Sequence, residues 1–217
     1  MIKAVIFDMD GLLINSEPFW QESEAKVFNS LGLDVNKKMF EQFMGKRIDE
    51  VVEGMYKMTP WNHVSKEKVA EDIVENVIRL VLEQGECLAG VTKTLKDLKK
   101  ASFKIGLASS SRMKIISAVL DKLQLREYFE VIHSAEFEKY GKPHPQVFIS
   151  TADMLGIHPS ECVVFEDSLN GVISALAAGM KCIAVPEKNA FNRNKFIISN
   201  KVLDSLNDFE IVQFTNL

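Results

Sequence analysis

What most constrains the fold of this chain is an alternation that begins near residue 86 and continues downstream. Short apolar runs, Lys104 to Ala108, Val131 to His133, Cys162 to Phe165 and Cys182 to Val185, each end in a polar or glycine-bearing turn, and an earlier run, Ala4 to Phe7, does the same. Between the later runs, apolar residues recur every three or four positions: Leu95/Leu98, Ile116/Val119/Leu120/Leu123, Val147/Phe148/Ala152/Leu155 and Val172/Leu176. That spacing gives a helix one apolar face, and an unbroken apolar run suits a strand buried on both sides. The pattern predicts an α/β fold whose parallel strands are covered by helices.

Residues 15 to 85 break the rhythm. Four helix-like segments follow one another there without a convincing strand; Val27, Phe28 and Leu31 mark the first, with Gly32 as its stop, and Val69, Ile73, Val77 and Val81 mark the last. The reading is an all-helical insertion after the first strand, tethered by two short crossings near Ile14 and Cys87. The expected division is therefore a core of residues 1–14 and 86–217 and a helical domain of residues 15–85, and the 217 residues suit one core with a modest insertion.

Charge narrows the partners. A formal net charge of −4 provides no long-range attraction for nucleic acid, so an anionic ligand must be drawn by a few local cations and should be small. Cys87, Cys162 and Cys182 are widely spaced and form no CxxC pair, which argues for reduced core residues rather than a disulfide framework or zinc site. The apolar run from Met1 to Phe7 is too short for a signal peptide, and no stretch has the length of a membrane span. A cytoplasmic protein with no membrane partner is expected, acting as a monomer on a small molecule.

Four local features carry chemistry. The first strand runs into Asp8-Met9-Asp10-Gly11, and strand alternation would point Asp8 and Asp10 the same way if the extended geometry persisted. Paired carboxylates can divide the labour of nucleophile and general acid/base or share a cation; an Asp-rich turn closing a strand reads the same. Glu166-Asp167 follows another buried run and precedes Ser168, a good helix cap, so helix capping is the alternative there. Parallel sheets collect ligands at the carboxyl ends of their strands, where both acidic pairs would converge, and an oxygen-only donor set suits Mg²⁺.

Ser109-Ser110-Ser111-Arg112 opens a helix after Ile105 to Ala108, where hydroxyls and backbone N–H groups suit phosphate oxygens, although a serine N-cap would look alike. Lys142 sits in Gly141-Lys142-Pro143-His144-Pro145, whose prolines restrict the backbone and can fix the lysine's direction.

Taken together and in order, Asp8-Met9-Asp10-Gly11, Ser109, Lys142 and Glu166-Asp167 resemble the four motifs of the haloacid dehalogenase superfamily over nearly the whole chain. The runs Asp10 to Pro18, Lys142 to Phe148 and Glu166 to Gly171 are similar to its helical-cap subgroup, which holds β-phosphoglucomutase and the 2-deoxyglucose-6-phosphate and hexitol-phosphate phosphatases. The resemblance implies a Rossmann-like core with the cap inserted after the first motif. It also implies roles: Asp8 as nucleophile, Asp10 as acid and then base, Ser109 and Lys142 as phosphate-site residues, and Mg²⁺ held by Asp8, the Asp10 backbone carbonyl and Asp167 with Glu166 nearby. An acidic residue at position 10 favours phosphoryl transfer over dehalogenation.

The implied substrate is a small phosphomonoester, most closely a sugar or sugar-alcohol phosphate. In the mutase a histidine usually lies near the place held here by Trp20, and Met44-Gly45-Lys46-Arg47-Ile48-Asp49 looks closer to the phosphatases. Glu17, Trp20, Lys46 and Arg47 are the candidates for the cap side of the pocket, beside Ser110, Ser111 and Arg112 from the core. A core position for Trp20 and solvated positions for Lys46 and Arg47 are equally compatible with composition. A phosphosugar mutase and a non-catalytic phosphometabolite sensor are the competing functions.

Overall fold

The structure, a computed structural model, describes residues 1–35, 39, 43, 45–187 and 193–217, without the side chain of Asn216. Six parallel strands form one sheet in the order β3-β2-β1-β4-β5-β6. They are β1 (Ala4–Phe7), β2 (Lys104–Ser109), β3 (Val131–Ser134), β4 (Cys162–Glu166), β5 (Lys181–Ala184) and β6 (Lys201–Val202). This is a Rossmann-like α/β core with an all-helical cap inserted after its first strand.

Alternation along β1 sends Val5 and Phe7 into one apolar cluster and Ala4 and Ile6 into the other, so both faces of the sheet are dry. Phe7 stacks on Phe165 of the neighbouring β4, with ring centroids 5.0 Å apart. The covering helices are α4 (Val91–Lys100), α5 (Met113–Leu123), α6 (Gln146–Leu155) and α7 (Leu169–Ala177). Each buries most of the residues whose spacing marks its apolar face, among them Leu95, Val119, Phe148 and Val172, while Leu123 and Leu176 are half-buried.

The cap contributes α1 (Glu17–Ser30), α2 (Ile48–Met58) and α3 (Lys66–Gln84). Ser65 caps α3 by accepting the Lys68 N–H, and Val69, Ile73, Val77 and Val81 form its buried stripe. Four helical segments are expected from the sequence; these three are described, and residues 36–44 fall largely outside the described ones. The two tethers touch where they leave the core: Ile14 bridges Cys87, and the Leu88 N–H donates to the Leu13 carbonyl at 3.0 Å. Cys87 is exposed on a tether and is not the core residue the sequence suggests, whereas Cys162 and Cys182 are buried in the sheet. Among the described residues no helix is long and apolar enough to cross a membrane.

The sequence reading misses β6. Its two residues continue the sheet beside Ile183 and Ala184 and are too short to carry any periodic signal.

Candidate active site

Parallel register brings the reactive residues together. Phe7 lies opposite Leu107 of β2 and Phe165 of β4, so the residues that follow these partners share the carboxyl edge of the three central strands. Asp8 extends β1, and its N–H still donates to the Phe165 carbonyl at 3.0 Å. Glu166 ends β4 and Ser109 ends β2. Ligand sites of open α/β sheets form at this edge.

Lys142 arrives from the loop between β3 and α6, and its peptide bond to Pro143 is cis. Its Nζ donates to Asp8 Oδ1 at 2.6 Å, Glu166 Oε1 at 2.7 Å and the Ala108 carbonyl at 3.1 Å. All three N–H groups of the ammonium are thereby satisfied, as a cation only 2% exposed requires. Burial alone would lower the Lys142 pKa, but Asp8 and Glu166 outweigh burial and hold it above its ordinary value. Asp8 moves upward too, first through burial and then through Glu166 and Asp10, against the opposing pull of Lys142.

Glu166 is fully buried and anchored at both oxygens, because Oε2 accepts the Ser168 N–H at 2.8 Å and the Ser168 hydroxyl at 3.0 Å. Ser168 Oγ accepts the Gly171 N–H in turn, so a helix-capping serine also fixes a charged neighbour. Among the described residues, Asp8, Glu166 and Asp167 each offer a carboxylate oxygen, all within 4.8 Å of one another. Asp167 lies well above the ordinary carboxylate value, first through burial and then through Glu166 and Asp8. Crowded, hard oxygen donors whose mutual repulsion a cation would relieve fit a magnesium ion.

Asp10 contacts a different set of groups. The strand stops at Phe7, and Asp10 lies in the turn that follows, with Gly11 at φ +72°: the Gly11 N–H donates to the Ile14 carbonyl and the Leu13 N–H to the Met9 carbonyl. Asp10 forms an isolated parallel bridge with Ile14, and the two carboxylates share no hydrogen-bond partner. Asp10 Oδ1 accepts from Ser16 Oγ at 2.6 Å and from the Trp20 indole N–H at 3.1 Å; Oδ2 accepts from Ser111 Oγ at 2.7 Å, with Ser109 Oγ 3.4 Å away.

The other sequence-derived candidates divide. Ser109 Oγ accepts the Ser111 N–H, and Ser110 Oγ donates to the Gly45 carbonyl, joining core to cap. Arg47 crosses the same gap: one guanidinium nitrogen donates to the carbonyls of Ala135 (3.1 Å) and Glu138 (2.8 Å), the other to Asp49 (3.0 Å). Arg112 pairs with Glu71 of α3. Glu17 accepts from Gln21 on its own helix, and the Lys46 ammonium lies 5.7 Å from the Phe43 ring centroid. Met44 falls outside the described residues.

A cavity of about 170 Å³ opens beside the Ser109 to Arg112 turn, lined by Arg47, Ile48, Asp49, Ser110, Arg112 and Glu136. Sequence reasoning misses Ser16, Ser168, Glu71 and Glu136. Ser168 carries a local signal in its capping position, and Ser16 lies within the run from Asp10 to Pro18, six residues from the aspartate it binds; Glu71 and Glu136 reach the site through contacts with more distant parts of the chain.

The family model described as haloacid dehalogenase-like hydrolase matches residues 5–185. Hexitol phosphatase B of Escherichia coli strain K12 is 41% identical over 208 residues, spanning 95% of this chain and 94% of that protein. A phosphorylated carbohydrates phosphatase of Thermotoga maritima is 31% identical, with 84% of each chain covered. The solved structure of β-phosphoglucomutase from Clostridium difficile superposes with a TM-score of 0.88 at 26% identity, covering 99% of this chain and 96% of that one. The chain belongs to the haloacid dehalogenase-like hydrolases and is an enzyme of that family.

Proposed function

We propose that this haloacid dehalogenase-like hydrolase is a Mg²⁺-dependent phosphatase of sugar or sugar-alcohol phosphates, working through a phosphorylated Asp8 in the cytoplasm. The observation that carries the reading is the buried ammonium of Lys142 bridging Asp8 and Glu166 beside Asp167, with Asp10 held separately two residues further on. The relatives named above, two of them phosphatases of phosphorylated carbohydrates or hexitols, support the same substrate class.

Asp8, Asp167 and, directly or through water, Glu166 would hold Mg²⁺, as would the Asp10 backbone carbonyl; when bound, it supplies positive charge that offsets repulsion between a phosphate dianion and an anionic nucleophile. Lys142 adds a fixed cation at Asp8 Oδ1 and so orients the nucleophile. An Asp8 oxygen attacks phosphorus in line, the bond from phosphorus to the leaving oxygen breaks, and that oxygen takes a proton from Asp10. Asp10 then accepts a proton from water as the water attacks the aspartyl phosphate, releasing inorganic phosphate and restoring Asp8. Ser16, Trp20 and Ser111 orient Asp10, and because two of them belong to the tether and the cap, cap position and proton transfer are linked.

Residues 15–85 act as the cap, closing on the core through the contacts of Arg47 and Ser110. The cavity beside residues 109–112 receives the leaving group. It lies below the roughly 300–1,000 Å³ typical of drug-sized ligands and suits a small polyol. Water is the acceptor rather than a second sugar: Trp20 is a donor-only side chain and cannot shuttle a proton, which argues against the mutase. An intact set of Asp8, Asp10 and Lys142 argues against a non-catalytic sensor.

A panel of phosphomonoesters, assayed for phosphate release with Mg²⁺ and with excess EDTA, tests the reading. Release from hexose or hexitol phosphates, lost on chelation and restored by Mg²⁺, is expected. Isomerisation without phosphate release, or full activity in EDTA with no metal retained, would contradict it.

A further inference from the structure

The cavity at the cap–core seam carries no net charge. Arg47 and Arg112 on its wall face two carboxylates, Asp49 and Glu136, and each cation already has a partner. Arg47 is held by Asp49 and by the Ala135 and Glu138 carbonyls. Glu136 accepts the Met113 N–H at 2.5 Å from the first turn of α5, the place where a helix would otherwise attract an anion.

Arg112 is paired from outside the wall. Glu71, in the second turn of α3, reaches across from the cap with one oxygen on Arg112 Nη1 at 2.9 Å and the other on Lys114 Nζ. One cap carboxylate thus engages two core cations where the Ser109 to Arg112 turn enters α5. The Lys114 hydrogen bond, followed by the charges of Lys114 and Arg112, outweighs partial burial and lowers the Glu71 pKa, so the carboxylate is ionised at neutral pH.

We propose that Glu71 is a specificity-determining residue: by pairing with Arg112 and Lys114 it leaves neither cation free for a ligand in the leaving-group cavity, so that a polyhydroxy leaving group is accepted and one bearing a second anionic group is disfavoured. The inference rests on the phosphatase reading and adds to it the charge of the leaving group. Two arginines and a lysine gathered near one small cavity would by themselves suit a bisphosphate or a sugar acid phosphate. With Glu71 present, such a ligand must displace a carboxylate from Arg112 and then lie beside it, whereas a hydroxyl-bearing ligand hydrogen-bonds to the paired groups without separating them. Glu71 acts through Arg112 and is a positioning residue in this scheme, with no chemical step of its own.

Glu71→Gln tests this. The pair is partly exposed, with side-chain exposures of 37% for Glu71 and 28% for Arg112, so the variant is expected to fold. Fructose 1-phosphate and fructose 1,6-bisphosphate differ by one phosphate, and the quantity read is the ratio of their kcat/KM values. The ratio should move toward the bisphosphate by roughly fivefold in about 20 mM salt and by much less in about 300 mM salt. A general loosening of the cap would change both substrates in step and leave the ratio fixed; that result, or a ratio insensitive to salt, overturns the proposal. If the unaltered enzyme releases phosphate from neither compound, the sugar-phosphate reading fails separately. Dissociation constants of the same two compounds, from titration calorimetry on both forms of the protein, then carry the test, and an unchanged affinity ratio overturns the role of Glu71.

Discussion

The core and the cap meet at one site but hold their polar groups in opposite ways. Core groups are buried and fixed by the sheet: Asp8 is 6% exposed, Lys142 2% and Glu166 not at all, and each follows or faces a strand end whose register is set by a dry interior. The cap residues at the seam, Trp20, Arg47 and Glu71, are all partly exposed, and each makes polar contacts to the core, Arg47 beside its pairing with Asp49 of the cap. The difference separates a buried, preformed electrostatic floor from a wall that, in the proposed mechanism, closes over the site.

The sharpest way to break that contrast is to damage the floor. Lys142→Met leaves Asp8 and Glu166 as buried carboxylates without their shared cation, which should cost about 3–5 kcal/mol of stability and lower turnover by at least about 1,000-fold. Denaturant unfolding and phosphate release would measure the two effects. A stable, near-normal variant would mean that the ammonium is not what holds the cluster together.

The wall should be more forgiving. Arg47→Ala removes two charge-assisted bonds to the Ala135 and Glu138 carbonyls and should lower kcat/KM roughly tenfold, about 1.4 kcal/mol, while the unfolding midpoint moves little. Losses as large as those of Lys142→Met would erase the distinction between floor and wall.

The smallest effect on catalysis belongs to the cap's interior. Glu24, 7% exposed on α1, has its carboxyl pushed from 4.5 up to about 8, first by burial and then by Glu17. A raised carboxyl favours the protonated folded state, so this contribution to stability is fully present below about pH 4.5 and is lost as pH rises to about 8. Glu24→Gln should therefore match the parent near pH 4.5 and exceed it by a few kcal/mol, order of magnitude, at pH 8, with phosphate release unchanged. Parallel stability curves across that window would show that Glu24 does not ionise on this scale.

The same contrast governs what could be read from the sequence. Strand ends are local: an apolar run followed by Asp8-Met9-Asp10-Gly11 or Glu166-Asp167 marks both the fold and the chemistry, and parallel pairing then brings distant motifs to one edge. The cap's part is not local. That Trp20 would donate to Asp10 rather than offer a sugar a stacking face depends on a turn at Gly11 and on how α1 docks. That Arg47 would hold backbone carbonyls 88 and 91 residues away, or that Glu71 would hold Arg112, depends on the seam as a whole. A two-residue strand such as β6 exists because its neighbours offer an edge, and its own residues say nothing of it.

In the proposed mechanism two neighbouring aspartates do different work, Asp8 forming a covalent bond to phosphorus and Asp10 moving protons. Asp10→Asn keeps the nucleophile but lacks the base for hydrolysis, so with an aryl phosphate, whose leaving group needs little protonation, an aspartyl phosphate should accumulate. Mass spectrometry after rapid acid quench should find a phosphate adduct on the peptide containing Asp8, absent when Asp8→Asn is treated alike. An adduct on another residue, or near-normal turnover by Asp8→Asn, would contradict the account.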